Sequence, residues 1–174
     1  MARIGDGDLR AFEDLYRRYN PRLSRFLLNM TRRPALVEEV LNDTLMTVWT
    51  RPEKFNGTSR LSTWIFAIAY RKALSALRRQ DQPMEDKDAE NRLAPDPDPE
   101  QRLAEGQTRT SLLAAMQTLS SDHRAVVDLT YYHDMGYREI ADIMSCPVDT
   151  VKTRMFHARR HLKRALGDRL ADWR

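Results

Sequence analysis

Along the first part of the chain, Leu9, Phe12, Leu15, Tyr16 and Tyr19 fall at helical spacing. Pro21 interrupts the pattern before Leu23, Phe26, Leu27 and Met30 resume it, so either one kinked helix or two short ones fits. Pro34 stands where a first helical turn tolerates proline, and Glu38 and Glu39 follow early. Val37, Leu41, Leu45 and Val48 then form a second apolar stripe that ends before Pro52. The segment Phe55-Asn56-Gly57-Thr58-Ser59-Arg60 reads as a loop. Leu61, Trp64, Ile65, Ile68, Lys72 and Leu77 trace a further helix. The stretch Trp64 to Tyr70 could be a strand by itself, but it continues through Arg71, Lys72, Ala73, Leu74 and Ala76 without a turn signal.

A second patterned block begins with Leu112, Leu113, Met116 and Leu119. Asp122 is a candidate N-cap for a helix through Val126, Val127 and Tyr131, and Gly136 breaks it. Tyr137 to Met144 forms a short helix burying Ile140, Ala141 and Ile143. Ser145-Cys146-Pro147 makes a tight turn, and a longer helix runs to about Leu166. Two helices joined in this way are a helix-turn-helix pattern. The expected fold is all-α: two small helical domains joined by a flexible acidic linker, with the helix-turn-helix in the C-terminal one.

Charge sharpens that division. Of 174 residues, 29 are Lys or Arg and 25 Asp or Glu, a net charge of +4. Residues 1–79 carry 15 basic and 8 acidic groups, residues 80–106 carry 3 and 9, and residues 107–174 carry 11 and 8. Two basic blocks therefore flank an acidic connector in which Pro95, Pro97 and Pro99 alternate with Asp96 and Asp98. With almost no large apolar side chains, it cannot bury enough surface to offset its ordering entropy. The expected boundaries are 1–80, a linker over 81–106, and 107–174. Six glycines, eight prolines and 41% hydrophobic residues exclude collagen-like and wholly disordered readings. Cys146 is the single thiol, so an intramolecular disulfide framework is excluded and a reducing compartment is expected. No stretch approaches the ~20 apolar residues of a membrane span, and none resembles a signal peptide. Membrane insertion is not expected, and the location expected is the cytoplasm.

The last helix carries the most informative chemistry. Val151, Met155, Ala158 and Leu162 share a narrow stripe suited to packing. The opposite face holds Asp149, Lys152, Thr153, Phe156, His157, Arg160 and Lys163. Basic groups can hold phosphates there, while a hydroxyl, an imidazole and an aromatic ring can meet base edges or a thymine methyl. An ordinary solvated basic helix is the plainer alternative, against which Phe156 argues. In the first block, Phe55, Trp64, Phe66 and Tyr70 interleave with Arg60, Arg71, Lys72, Arg78 and Arg79. Such a mixture lets bases stack while cations follow a single strand, although Trp64 and Phe66 could equally be core. His157 and His161 lie four residues apart, but neither H-E-x-x-H nor paired cysteines accompany them. There is no Walker loop, G-x-S-x-G or dinucleotide fingerprint. No metal, cofactor or enzymatic activity is expected.

The segments GDGDLRAFEDLYRRYNPRL, ALVEEVLNDTLMTVWTRPEKF, FNGTSRLSTWIFAIAYRKALSALRR and HRAVVDLTYYHDMGYREIADIMSCPVDTVKTRMFHARRHLKRAL resemble, in order, the extracytoplasmic-function sigma factors of bacterial RNA polymerase. The resemblance implies a subunit that binds core polymerase, directs it to promoters and helps open the −10 region. It implies core polymerase contacts by Leu41, Asn42, Asp43, Leu45, Met46 and Trp49, although intradomain packing would equally explain Leu41, Leu45 and Trp49. It implies capture of the melted non-template strand at the −10 element by Phe55, Asn56, Arg60, Trp64, Arg71 and Lys72. Duplex reading at the −35 element would fall to Lys152, Thr153, Phe156 and His157, with Arg154 and Arg160 on phosphates. Family members usually carry Asn where this chain has Arg71, and many carry Gly where Asp149 stands. They are commonly held inactive by an anti-sigma factor, which is therefore a further expected partner beside core polymerase and promoter DNA.

Overall fold

The computed structural model describes residues 1–81 and 112–166, and every regular element among these residues is helical. A short turn, α1 (Ala2–Gly5), precedes α2 (Leu9–Thr31), which Asp8 caps by accepting the Ala11 N–H at 3.1 Å. That hydrogen bond, followed by the neighbouring Arg3 guanidinium, holds the Asp8 carboxyl below its ordinary pKa. Of the two readings open at Pro21, a single helix is found. Pro21 lies on the exposed side, where water can replace the backbone bond that proline cannot donate. Arg32, left-handed at φ 58°, ends α2. Pro34 then starts α3 (Pro34–Thr50) in the first-turn position expected for it. A 3₁₀ turn (Pro52–Lys54) and the loop to Arg60 lead into α4 (Leu61–Asp81).

Leu23, Phe26, Leu27, Met30, Val40, Val48, Ile65 and Phe66 form the centre of the N-terminal half, with the Phe26 and Phe66 rings 5.3 Å apart. The expected linker lies outside the described residues, apart from residue 81 at the end of α4.

The C-terminal half comprises α5 (described over 112–117), α6 (Ser121–Tyr131), α7 (Tyr137–Met144) and α8 (Val148–Leu166). The expectation that Asp122 caps α6 is corrected. Ser120 has the extended backbone of an N-cap and its hydroxyl accepts the His123 N–H at 3.3 Å, so Asp122 stands inside the first turn, where the helix dipole favours a carboxylate. Nor does Gly136 end α6, which closes at Tyr131; it is the N-cap of α7, and Glu139 Oε2 accepts its N–H at 3.2 Å. Ser145, left-handed at φ 51°, turns the chain toward α8. Val151, Met155 and Ala158 are almost fully buried, and Leu162 and Leu166 nearly so.

The two halves pack on one another through α2 with α6 and α4 with α7. Asn29 donates to Asp128 at 2.6 Å, Tyr70 donates to Asp122 at 2.7 Å, and Arg124 donates twice to the Met30 carbonyl at 2.8 and 3.1 Å. His133, whose side chain is 3% exposed, lies 4.7 Å from the Phe66 ring and 6.2 Å from Phe26. Its Nε2 is 3.1 Å from Asp128 Oδ2, close enough for attraction but without hydrogen-bond alignment. Arg25 lies 3.7 Å above the Tyr132 ring at the rim of the same seam.

Candidate nucleic-acid and polymerase interfaces

Because α8 buries one stripe against α6 and α7, its other face is held outward. Lys152, Thr153, Phe156, His157 and Arg160 are all exposed, as are Asp149 and Lys163. Phe156 is 61% exposed, which apolar packing within the half does not explain. Asp149 does not stand alone on this face: Lys152 Nζ meets its carboxylate at 3.0 Å, and the Thr153 hydroxyl donates to its carbonyl at 2.9 Å. Both partners are exposed, so the pair is weak and Lys152 can exchange it for another anion at little cost.

Arg154 departs from this group. Its guanidinium meets Asp122 at 2.6 Å, and its other nitrogen points at the sulfurs of Met144 and Cys146 at 3.9 and 3.7 Å. The side chain is only 25% exposed, so its first role is tying α8 to α6. Beside it, a recess of about 350 Å³ is lined by His123, His157, His161, Arg160 and Arg164 together with Thr118 and Ser120. Burial, then the neighbouring His157 and Arg154, hold the His123 imidazole below its ordinary pKa. No group of three or more His, Cys, Asp or Glu among the described residues is placed to hold a metal ion.

At the other candidate interface, Gly57, left-handed at φ 75°, allows a sharp turn. The Asn56 side chain sets the loop by accepting from the Thr58 N–H at 3.0 Å and from the Thr58 hydroxyl at 2.7 Å. Phe55 and Trp64 are half-buried with ring centroids 5.4 Å apart, tilted at 53°. Arg60 and Arg71 are exposed. The aromatic series read along this helix narrows, however. Phe66 and Tyr70 are buried in the core and offer no face for stacking. Burial, then the hydrogen bond to Asp122, pushes the Tyr70 phenol well above its ordinary pKa and keeps it a donor.

Lys72 reaches back to Asp43 on α3 at 3.6 Å, across a recess of about 450 Å³ that also includes Met46, Thr47 and Arg71. The six residues expected to face core polymerase divide accordingly. Leu41 and Leu45 are 7% and 3% exposed and pack within the half, the alternative left open for them. Asn42, Asp43 and Met46 are exposed, and Met46 is an unbranched, adaptable side chain left 59% in solvent. Trp49 is half-buried, with Phe12 at 5.1 Å. The chain pattern alone missed Asp122, Asp128, Glu139 and His133 as residues that join the halves, because the groups they meet there, Tyr70, Asn29, Thr63 and Phe66, are remote in sequence.

Family comparison agrees with this geometry. Residues 15–82 match the family model for sigma-70 region 2, and residues 109–162 match that for sigma-70 region 4. RNA polymerase sigma factor CarQ of Myxococcus xanthus is 31% identical, with the alignment covering 97% of this chain and 96% of that one. The chain belongs to the extracytoplasmic-function sigma factors.

A second relative, the extracytoplasmic-function sigma factor RpoE of Cereibacter sphaeroides, is 29% identical over 85% of this chain and 82% of its own. Among solved structures, the sigma factor RpoE of Bartonella quintana, in complex with the anti-sigma factor NepR, aligns with a TM-score of 0.71 at 26% identity, covering 92% of this chain and 99% of that one. This sigma factor thus directs RNA polymerase to promoters, with region 2 spanning α2 to α4 and region 4 spanning α5 to α8. No helix among the described residues is long and apolar enough to cross a membrane.

Proposed function

We propose that the sigma factor divides promoter recognition between its two halves, residues 1–80 and 107–174, joined through 81–106, and acts in the cytoplasm by binding alone, without catalytic residues. Region 4 reads the −35 duplex with Lys152, Thr153, Phe156 and His157 of α8, and Arg160 holds a phosphate. Arg154 contributes there by keeping α8 seated through Asp122 and by adding its positive charge to the helix. Region 2 holds the melted −10 strand with the loop from Phe55 and Asn56 to Arg60, the Trp64 ring, and Arg71 and Lys72. Stacking of about 1–3 kcal/mol per base offsets the few kcal/mol needed to unstack a step. The exposed edge of α3, Asn42, Asp43 and Met46 with Trp49 beside them, meets core polymerase. An anti-sigma partner is expected here as well, because the relative from Bartonella quintana is held by one.

The observation carrying this reading is the exposed Phe156 ring on a basic helix whose opposite face is fully packed. Transcription by purified core polymerase on fragmented genomic DNA, with and without the protein, tests it. Start sites that share two upstream elements and appear only with the protein are expected. An absence of new starts, with core that responds to another sigma factor, would overturn it.

A further inference from the structure

The recess beside Arg154 runs along the C-terminal half of α8, against the turn that enters α6. From α8 come His157, Arg160, His161 and Arg164, and from the start of α6 comes His123. The turn between α5 and α6 adds the Thr118 and Ser120 hydroxyls. No residue lining the recess carries a carboxylate. Exposed arginines elsewhere find one: Arg3 meets Asp8, Arg60 meets Glu139 and Arg79 meets Glu39. Among the described residues, neither Arg160 nor Arg164 has a hydrogen bond or an ion pair.

Two of the imidazoles are held in place by the hydroxyls. Thr118 Oγ1 lies 2.7 Å from His161 Nε2, and Ser120 Oγ lies 2.9 Å from His123 Nδ1. His161 Nδ1 and His123 Nε2 are left without a partner among the described residues. The His123 and His157 rings stand 6.4 Å apart. Burial, then His157 and Arg154, hold His123 below its ordinary pKa, with His161 acting in the same direction. The carboxylate that opposes them, Asp122, is already engaged by Arg154 and Tyr70.

A concave basic wall with no counter-charge of its own is suited to an oxyanion. Arginine offers a phosphate two parallel donors, protonated imidazole adds another, and the dipole of α6 points its positive end the same way. At about 350 Å³ the recess has the liquid volume of roughly a dozen waters, at the lower end of small-ligand pockets. Its position separates it from the part of α8 that leads into a groove. The N-terminal residues of a recognition helix meet base edges, whereas His161 stands nine residues beyond Lys152, about 13 Å along the helix. His157 and Arg160 lie between and belong to both surfaces.

We propose that this recess is a binding site for a small phosphorylated ligand, whose occupancy takes His157 and Arg160 away from −35 DNA. The site stands on its own geometry; only the competition rests on the −35 reading above. Ligand and DNA then weaken one another by the same factor, because each binds best when the other is absent.

Pyrophosphate serves as the probe, added to the full chain in chloride buffer while the ring signals of its four histidines are followed by NMR. Saturation should raise the titration midpoints of His123 and His161 and leave that of His133, seated against Phe26 and Phe66, unchanged. His161→Gln with Arg164→Gln changes two exposed positions, so it should keep the fold and weaken pyrophosphate about tenfold or more. In parallel, reconstituted holoenzyme is bound to promoter duplex without nucleotides, at matched ionic strength because added salt alone weakens DNA binding. Pyrophosphate should reduce the promoter affinity of wild type several-fold. The double variant should match wild type in its absence and resist it when present. Equal pyrophosphate binding by both proteins, or a uniform drift of all four histidines, overturns the site. Promoter affinity lost by the double variant with no pyrophosphate present would mean that the recess holds a DNA phosphate, and overturns the free ligand. Equal inhibition of both holoenzymes overturns the competition. A wild-type holoenzyme that binds intact and scrambled −35 duplexes alike sinks the −35 reading instead, and leaves the histidine titration to decide the site.

Discussion

Adjacent residues on α8 should respond to the same truncation in opposite ways. Met155 is 1% exposed and Phe156 is 61% exposed, so Met155→Ala empties a packed site whereas Phe156→Ala removes a ring already in water. Removing the Met155 side chain should cost about 2–5 kcal/mol, the sum of lost burial and the cavity left behind. That is a large fraction of the ~5–15 kcal/mol that holds a typical domain folded. Phe156→Ala should change stability by no more than about 0.5 kcal/mol. Its effect should instead appear on DNA, where losing the match at one base pair costs about 1–3 kcal/mol. At 1.4 kcal/mol per decade this is roughly a 5- to 150-fold loss of promoter activity that depends on the −35 sequence. Urea unfolding followed by circular dichroism gives the first quantity. Transcription by the reconstituted holoenzyme from promoters with intact and scrambled −35 elements gives the second. The reasoning fails if Phe156→Ala unfolds as readily as Met155→Ala, or if it keeps full preference for the intact −35 element.

Three further outcomes are expected. Trp64→Ala should impair transcription from duplex promoters more than from a template melted beforehand, because the proposed function has the Phe55–Trp64 pair stack on unstacked bases; equal defects on both templates would point to loss of folding. His123 has a folded-state pKa below its unfolded value of ~6.5, so the unfolded chain takes up the proton first and the stability present above that pH is lost as pH falls through the window beneath it. Unfolding midpoints measured from pH 7.5 to 5.5 should therefore fall less steeply for His123→Gln than for wild type, and parallel slopes would contradict the assignment. Gly57→Ala should strain the loop from Phe55 to Arg60 by roughly 1–2 kcal/mol, since a left-handed residue with no crowding atoms within 4 Å is penalised only through its backbone. Gly57→Asn should restore promoter opening toward wild type, and an alanine variant that opens promoters normally would show that the turn is not needed.

Much of this architecture was legible in local pattern. The stripe Val151, Met155, Ala158 and Leu162 repeats at the helical period because those residues must face one core, so its burial and the exposure of Phe156 opposite follow together. Pro34, Gly57 and Gly136 marked true boundaries, for proline and glycine restrict or release the backbone whatever surrounds them. Periodicity was less informative where a helix is buried on more than one side. Along α4 the apolar run from Ile65 to Tyr70 is shared between the neighbouring helices and the C-terminal half, so an interleaving that suggested base stacking proved largely internal. On α3, Leu41 and Leu45 fit a partner-facing stripe and a core-facing stripe equally well, and the packing of α2 and α4 decided for the core.

By itself the sequence determined the helices, the division into two basic halves around an acidic connector, the helix-turn-helix and the outward chemistry of α8. Those properties depend on residues a few positions apart, through backbone preference and helical period. Only the tertiary structure decided which polar groups meet across the seam. Asn29 and Asp128 are 99 positions apart and Thr63 and Glu139 are 76 apart, and no local rule links such pairs. The same holds for His133, an isolated imidazole in a polar turn whose burial depends on two phenylalanines of the other half. Its place follows from how the two halves close, because burial is a property of what surrounds a side chain in space.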